Sequence, residues 1–470
     1  MLLTIVSFIF LLVILIFVHE LGHFSVAKLL GVRVECFSLG FPPKIVSHKI
    51  GETVYQLCWV PIGGFVKLLG DVPGEEISEE DKAVSFSSKP NWAKFLIVFA
   101  GPFFNLVFAA LVFCIIALFN GESHLSTTLG PIKANSPAAL ASLKSGDVIK
   151  SIDGQEVLYF DQVIEQIENG NGSEAVLRVE RDGREFEARV KPVSKEGKTL
   201  LGDPFFYWSL ELTPRLKPYL GQVQKGRPAE MAGLKKGDLV TAIDGQSIDD
   251  FTQLTEIVLG PESQRASEKP QKRNPLTITV LRDNQLLDFS VTPEAAPQQG
   301  LDGKTSYSFL IGVTNSPQLL VESLGPIRAL GAGLNQSWKA VELTYLTVVK
   351  LLQNKISAKL MGGPILIAEV AGQGIRGGLD KFFALMALIS VNLAIINLFP
   401  VPVLDGGQMV IFIIEGIRRK PLNERVKGVG HVVGWAALIC LMVLVFYNDI
   451  SRIVTRLSGP PTEVVETIKE

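Results

Sequence analysis

Four stretches of this chain run without a single Asp, Glu, Lys or Arg: residues 2–18, 95–119, 382–403 and 428–447. Backbone amides in hydrocarbon find no water to bond, so stretches of this kind cross a membrane as helices. About 20 apolar residues rising 1.5 Å each reach across roughly 30 Å of lipid core. The second and third stretches meet that length directly, and the first meets it by continuing toward Leu30. The fourth is shorter and contains one titratable group, His431. The chain is 47% hydrophobic over 470 residues, and these stretches carry the excess. The expected fold is a multi-pass α-helical membrane protein with four transmembrane helices, at 1–30, 95–119, 381–410 and 428–450.

Chemistry enters where the first stretch ends, at His19-Glu20-Leu21-Gly22-His23. Positions i and i+4 share a helix face, so two imidazoles can meet one zinc ion while the glutamate between them serves as general base. Only five histidines occur in the chain, and ionisable groups at a membrane are expensive to keep without a role. A cleaved signal peptide would strand this motif, and the stretch has neither a basic start nor a small-residue cleavage site, so it is expected to be retained. A net charge of −2 offers no basic surface, and no nucleic-acid partner is expected. Cys36, Cys58, Cys114 and Cys440 lie far apart and form no C-x-x-C pair, which argues against a disulfide framework or thiolate site.

Orientation follows from the basic cluster Arg418, Arg419, Lys420, Arg425 and Lys427, which marks the loop between the last two spans as cytoplasmic. The stretch 120–381 and both termini then lie outside, in the periplasm of a Gram-negative cell. The loop 31–94 falls on the cytoplasmic side. Val32, Val34 and Cys36, then Val54, Gln56 and Cys58, alternate at strand period, which predicts a β-hairpin, either an ordinary one or one whose edge pairs with an extended substrate.

The outer stretch is duplicated. Ser136-Pro137-Ala138-Ala139, Gly146-Asp147 and Asp153-Gly154-Gln155 return as Arg227-Pro228-Ala229-Glu230, Gly237-Asp238 and Asp244-Gly245-Gln246, each displaced by 91 positions. Residues 177–183 resemble 278–284 at a longer offset, so the second copy carries an insertion, expected as a polar loop over 261–275. This pattern resembles the bacterial PDZ domain and implies two tandem copies of that small β-rich fold, at 124–214 and 215–315. The resemblance implies peptide ligands added to a sheet edge, or a steric gate above the membrane site. Over 325–380, Trp338, Val341, Tyr345, Val348, Val349 and Leu352 recur at helical spacing, which predicts an amphipathic helix and linker at the outer membrane interface.

A catalytic zinc takes three protein ligands and leaves one position open. His48, His124, His431, Glu369 and Asp405 are chemically able to supply the third. Asp405 follows the third apolar stretch and so reaches the same cytoplasmic end as the first motif. Pro400, Pro402, Gly406 and Gly407 around it break the helix ladder, which lipid tolerates where backbone lines a cavity.

Taken together, the H-E-x-x-H motif, the Gly101-Pro102-Phe103-Phe104-Asn105 stretch, the N-x-x-P-x-P-x-L-D-G-G segment from Asn397 and the tandem modules resemble the site-2 protease family over nearly the whole chain. The resemblance implies an intramembrane zinc metalloendopeptidase of a bacterial inner membrane, with His19, His23 and Asp405 as ligands of Zn2+ and Glu20 as catalytic base. It implies that Asn397 and Asn392, with Pro400 and Pro402, contact substrate, and that a membrane-associated hairpin lies near the cleft. Substrates would be single-pass membrane proteins already shortened outside, such as an anti-sigma factor or a remnant signal peptide. The competing expectation is a membrane scaffold with a structural zinc site; a zinc transporter suits the glutamate between two histidines less well.

Overall fold

The computed structural model describes residues 2–71, 77–260, 272–299 and 305–457. The tail beyond 457 and the insertion over 261–271 lie outside the described residues. The chain forms two compact units, one of residues 1–120 with 324–470 and the other of residues 121–323.

Among the described residues of the first unit, four helices are long and apolar enough to cross a membrane: α1 (Leu2–Leu29), α2 (Asn91–Asn120), Leu379–Asn397 and 424–454 of the last helix. Leu2, Ile5 and Phe10 of α1 are exposed, whereas Leu11 and Leu15 pack with Ala371, Phe382 and Met386. Apolar faces as extensive as these are unsustainable in water and natural against lipid chains. The protein is a multi-pass membrane protein.

The third span ends earlier than expected. Its helix stops at Asn397, and a new helix, Asp405–Arg418, begins after a short irregular stretch. Proline at 400 and 402 cannot donate to a helix ladder, and the stretch closes on itself through Leu404 N–H to the Val401 carbonyl at 2.8 Å. The glycines behind it permit the fold-back, because a Cβ on Gly406 would stand 2.3 Å from the Leu398 oxygen and one on Gly407 2.2 Å from that of Val401.

Over 325–380 the expected amphipathic helix forms at Pro326–Leu352, and the expected linker contains a second helix, Pro364–Gly377. The first helix packs through its small residues. Its buried residues include Ala329, Gly333, Ser337 and Ala340, while Trp338 and Tyr345 are exposed. Small side chains let helices approach closely in lipid, where van der Waals packing replaces the hydrophobic drive, and Ala340 joins Ala109, Val112, Ala387 and Val391 in one cluster. The second helix is capped by Asp449 of the last span, whose carboxylate accepts from the amides of Gly363, Ile365 and Leu366.

The expected hairpin is two long strands, β1 (Val34–Ile50) and β2 (Thr53–Leu68), that fold back on themselves. Residues 36–39 of β1 face both 54–57 and 64–67 of β2, while 44–50 of β1 pair with 53–58.

The second unit contains two modules of one design. In each, a central strand (Val148–Ile152; Leu239–Ile243) lies between a short return strand (Gln155–Glu156; Gln246–Ser247) and a longer hairpin (Ala175–Arg181 with Arg184–Val190; Leu276–Arg282 with Gln285–Val291). A helix closes each core, placing Val163 with Ile149 and Leu177, and Leu254 with Val240 and Ile278. The repeated Gly-Asp also acquires a partner. Asp147 accepts two hydrogen bonds from Arg181, and Asp238 accepts two from Arg282. Asp238 is 2% exposed at its side chain, and burial alone would raise its pKa; the Arg282 hydrogen bonds and the Lys235 amide outweigh that and hold the carboxyl below its ordinary value.

Candidate metal centre

His19, Glu20 and His23 sit on the last turns of α1, whose register is set by contact with α2. A Cβ on Gly22 would lie 2.3 Å from the Ala100 carbonyl oxygen, and one on Gly101 would lie 2.3 Å from His23 Nε2. The two helices therefore meet backbone to backbone at the motif. Asp405 enters from the start of its own helix and completes the cluster: its Oδ2 lies 3.1 Å from His19 Nε2 and 3.7 Å from His23 Nε2, and the two Nε2 atoms are 3.2 Å apart.

Protonation logic makes this a cation site. His23 Nδ1 lies 2.8 Å from the Ile97 carbonyl oxygen, which only accepts, so that nitrogen carries the proton and Nε2 presents a bare lone pair. Asp405 Oδ2 is buried and accepts no hydrogen bond. Lone pairs of two nitrogens and a carboxylate oxygen facing one another repel unless a positive charge lies among them. Bonds of about 2.0–2.2 Å in a tetrahedral array separate the donors by about 3.3–3.6 Å, close to the spacing seen here. The residues fit zinc.

Asn105 adds a support that the sequence did not assign. It is fully buried, its side-chain amide lies 3.2 Å from His19 Nδ1, and its Oδ1 has no hydrogen-bond partner. Exchanging the amide's nitrogen and oxygen lets Oδ1 accept from His19 Nδ1–H, which leaves Nε2 for a metal. An amide in a charge-free span is itself a signal that could have found it. Ser390 of the third span holds the backbone, donating to the Asn105 carbonyl at 2.8 Å.

Glu20 is 8% exposed, next to His19 in the chain, and β2 passes against it: a Cβ on Gly64 would come within 3.0 Å of Glu20 Cγ. Other predicted residues are placed differently. Asn397 ends the third span, half-buried, and Pro400 is exposed. Pro402 packs toward Gly430 and Gly434 of the last span. Asn392 accepts a hydrogen bond from Thr344 Oγ1 at 2.7 Å, which ties it to the Pro326–Leu352 helix. His48, His431 and Glu369 are not part of the triad.

A membrane-embedded cluster of two imidazoles and a carboxylate with a buried glutamate alongside defines a metal-dependent hydrolase of the bilayer. The profile of peptidase family M50 matches residues 7–441, and the chain belongs to that family. It is similar to the regulator of sigma-E protease RseP of Escherichia coli strain K12, at 32% identity over 95% of this chain and 98% of the relative. Protease RseP of Yersinia pestis is 32% identical over 96% and 99% of the two chains. A protein of Neisseria meningitidis named as a candidate zinc metalloprotease is 31% identical over 96% and 99%. The chain is a zinc metalloprotease of the site-2 type.

Proposed function

We propose that this protease cleaves single-pass membrane proteins within the bilayer, after their outer parts have been trimmed, at the cluster of His19, Glu20, His23 and Asp405. The observation that carries this reading is the convergence of α1 and the Asp405–Arg418 helix on three donor atoms 3.1–3.7 Å apart. His19, His23 and Asp405 would hold zinc, which when bound activates water and polarises a carbonyl. Glu20 takes the proton of the attacking water at its carboxylate and returns it to the leaving amide nitrogen. Asn105 and the Ile97 carbonyl keep both imidazoles oriented with Nε2 inward.

A transmembrane helix hides its peptide bonds in its own ladder, so a substrate must extend locally before it is cut. The 64–68 stretch of β2 pairs along one side with 34–39, and its course against Glu20 supports a role in receiving such an extended segment by strand addition. Asn397, with Pro400 and Pro402 in the break after the third span, is assigned to the substrate's backbone; Asn392, held by Thr344, is assigned to the wall behind it.

The two outer modules are read as PDZ domains. Their matching strand order and their Asp-Gly turns at 153–154 and 244–245, all four residues with positive φ, support that reading. In this proposal they lie in the periplasm above a bacterial inner membrane and exclude substrates that still carry bulky outer domains, or bind peptide ends. The competing function is a membrane-anchored scaffold with a structural zinc.

Glu20→Gln separates the two. The variant should keep its zinc and its fold yet lose cleavage of a single-pass substrate by about 10²- to 10⁴-fold, from loss of a general base. A scaffold would behave as before, and full cleavage by the variant would refute the proposal.

A further inference from the structure

A second cluster of metal-binding type lies in the other unit, where the chain enters and leaves it. The strand Glu122–His124 pairs antiparallel with Leu320–Glu322, placing Glu122 opposite Glu322. His124 Nε2 lies 3.8 Å from Glu122 Oε2 and 3.9 Å from Glu322 Oε2, and the three donor atoms all fall within 4.8 Å of one another.

The imidazole is held in position for this. Its Nδ1 lies 3.0 Å from Asp161 Oδ2, and its ring stacks on Tyr159 with centroids 4.0 Å apart. A carboxylate at Nδ1 draws the ring proton there and turns the Nε2 lone pair toward the two glutamates, the arrangement found behind metal-bound histidines. Nε2 is buried and has no hydrogen-bond partner. Burying a nitrogen lone pair against two carboxylates is costly unless a metal cation or a proton lies between them.

We propose that Glu122, His124 and Glu322 form a structural site for a divalent cation of zinc's class, separate from the membrane-embedded centre. The donor set of one imidazole and two carboxylates suits zinc with an open position for water. The carboxylate side chains of Glu122 and Glu322 are 44% and 26% exposed, so a change of side-chain torsion brings their oxygens to an ion at bonds of about 2.0–2.2 Å. The ion fastens the strand by which the chain enters this unit to the one by which it leaves, and Asp161 extends the clamp to the helix Phe160–Asn169. Nothing in this assignment depends on proteolysis.

The test counts zinc on the full-length protein in detergent, after stripping and dialysis against low-micromolar buffered free zinc. Two ions per chain are expected. The double variant Glu122→Gln, Glu322→Gln keeps the side-chain shapes and should hold one, as should His124→Ala. His23→Ala should also hold one, and in that variant added zinc should slow amide exchange across 122–124 and 320–322. A parent chain holding a single ion that His23→Ala removes, or a second ion that survives both the double variant and His124→Ala, overturns the proposal; the first result would mean that a proton on His124 stands in the ion's place.

Discussion

Replacing Gly101 with alanine puts a methyl carbon 2.3 Å from His23 Nε2 and 2.8 Å from His19 Cε1. Carbon reaches comfortable contact at about 3.5 Å or beyond, so the rings must retreat by about 1 Å or the helices must part. Parting is opposed by the packed contact of Gly22 on Ala100 and by the hydrogen bond from Ser390 to Asn105. Metal sites tolerate donor displacements of about 0.2 Å, and a misplacement of about 1 Å costs roughly 100-fold in rate. Gly101→Ala is therefore expected to weaken zinc binding by about 10- to 100-fold and to lower single-turnover cleavage by about 100-fold or more, with helix content unchanged. Gly331→Ala provides the control, because a Cβ there meets nothing within 4 Å and alanine favours a helix by about 1 kcal/mol. Zinc per chain after dialysis and cleavage of a membrane substrate are the two measurements. If Gly101→Ala kept full zinc and full activity while remaining folded, the backbone-to-backbone placement of the histidines would be wrong.

Three further outcomes follow from the same geometry. Asp405→Ala should lose the membrane-centre zinc and all cleavage while keeping the outer unit intact, checked by metal analysis in a background lacking His124; retention of that zinc would remove Asp405 from the ligand set. Asn105→Leu should lower zinc affinity about 10- to 100-fold without removing a ligand, since partners of metal-bound imidazoles carry that weight, and Asn105→Asp should recover part of it. The second module should be acid-sensitive through Asp238, whose carboxyl is held below its ordinary value of 3.8 in the folded state. The stabilisation is present above that value and is lost as pH falls through the lower, folded one. Amide protection near 235–238, taken relative to the intrinsic exchange rate at each pH, should accordingly fall at acid pH in the parent and lose that slope in Asp238→Asn, and tighter protection on acidification would contradict it.

Much of the centre was legible because it depends on short-range periodicity. His19 and His23 share a face by spacing alone, and the charge-free spans leave Asp405 at the same end of the unit. The repeat was legible from its offset, though Arg181 and Arg282 were seen only as repeated letters, since a partner more than thirty residues away leaves no local pattern. The helix at 326–352 was legible from its apolar spacing, but its packing residues were not, because in lipid the large side chains face outward and the small ones pack. The fold-back of β1 and β2 was hidden as well, because alternation reports a strand's faces and not which stretches lie beside one another. Asn105 left a signal as an amide in a charge-free span, but its contact with His19 and the cluster around His124 required tertiary structure, each being assembled from elements distant in the chain.

The pairing of Glu122–His124 with Leu320–Glu322 brings the two ends of the outer unit to neighbouring strand positions, about 5 Å apart. A segment inserted through so narrow a neck is modular in the strict sense: a tight turn could replace residues 121–323 without re-threading any helix through lipid.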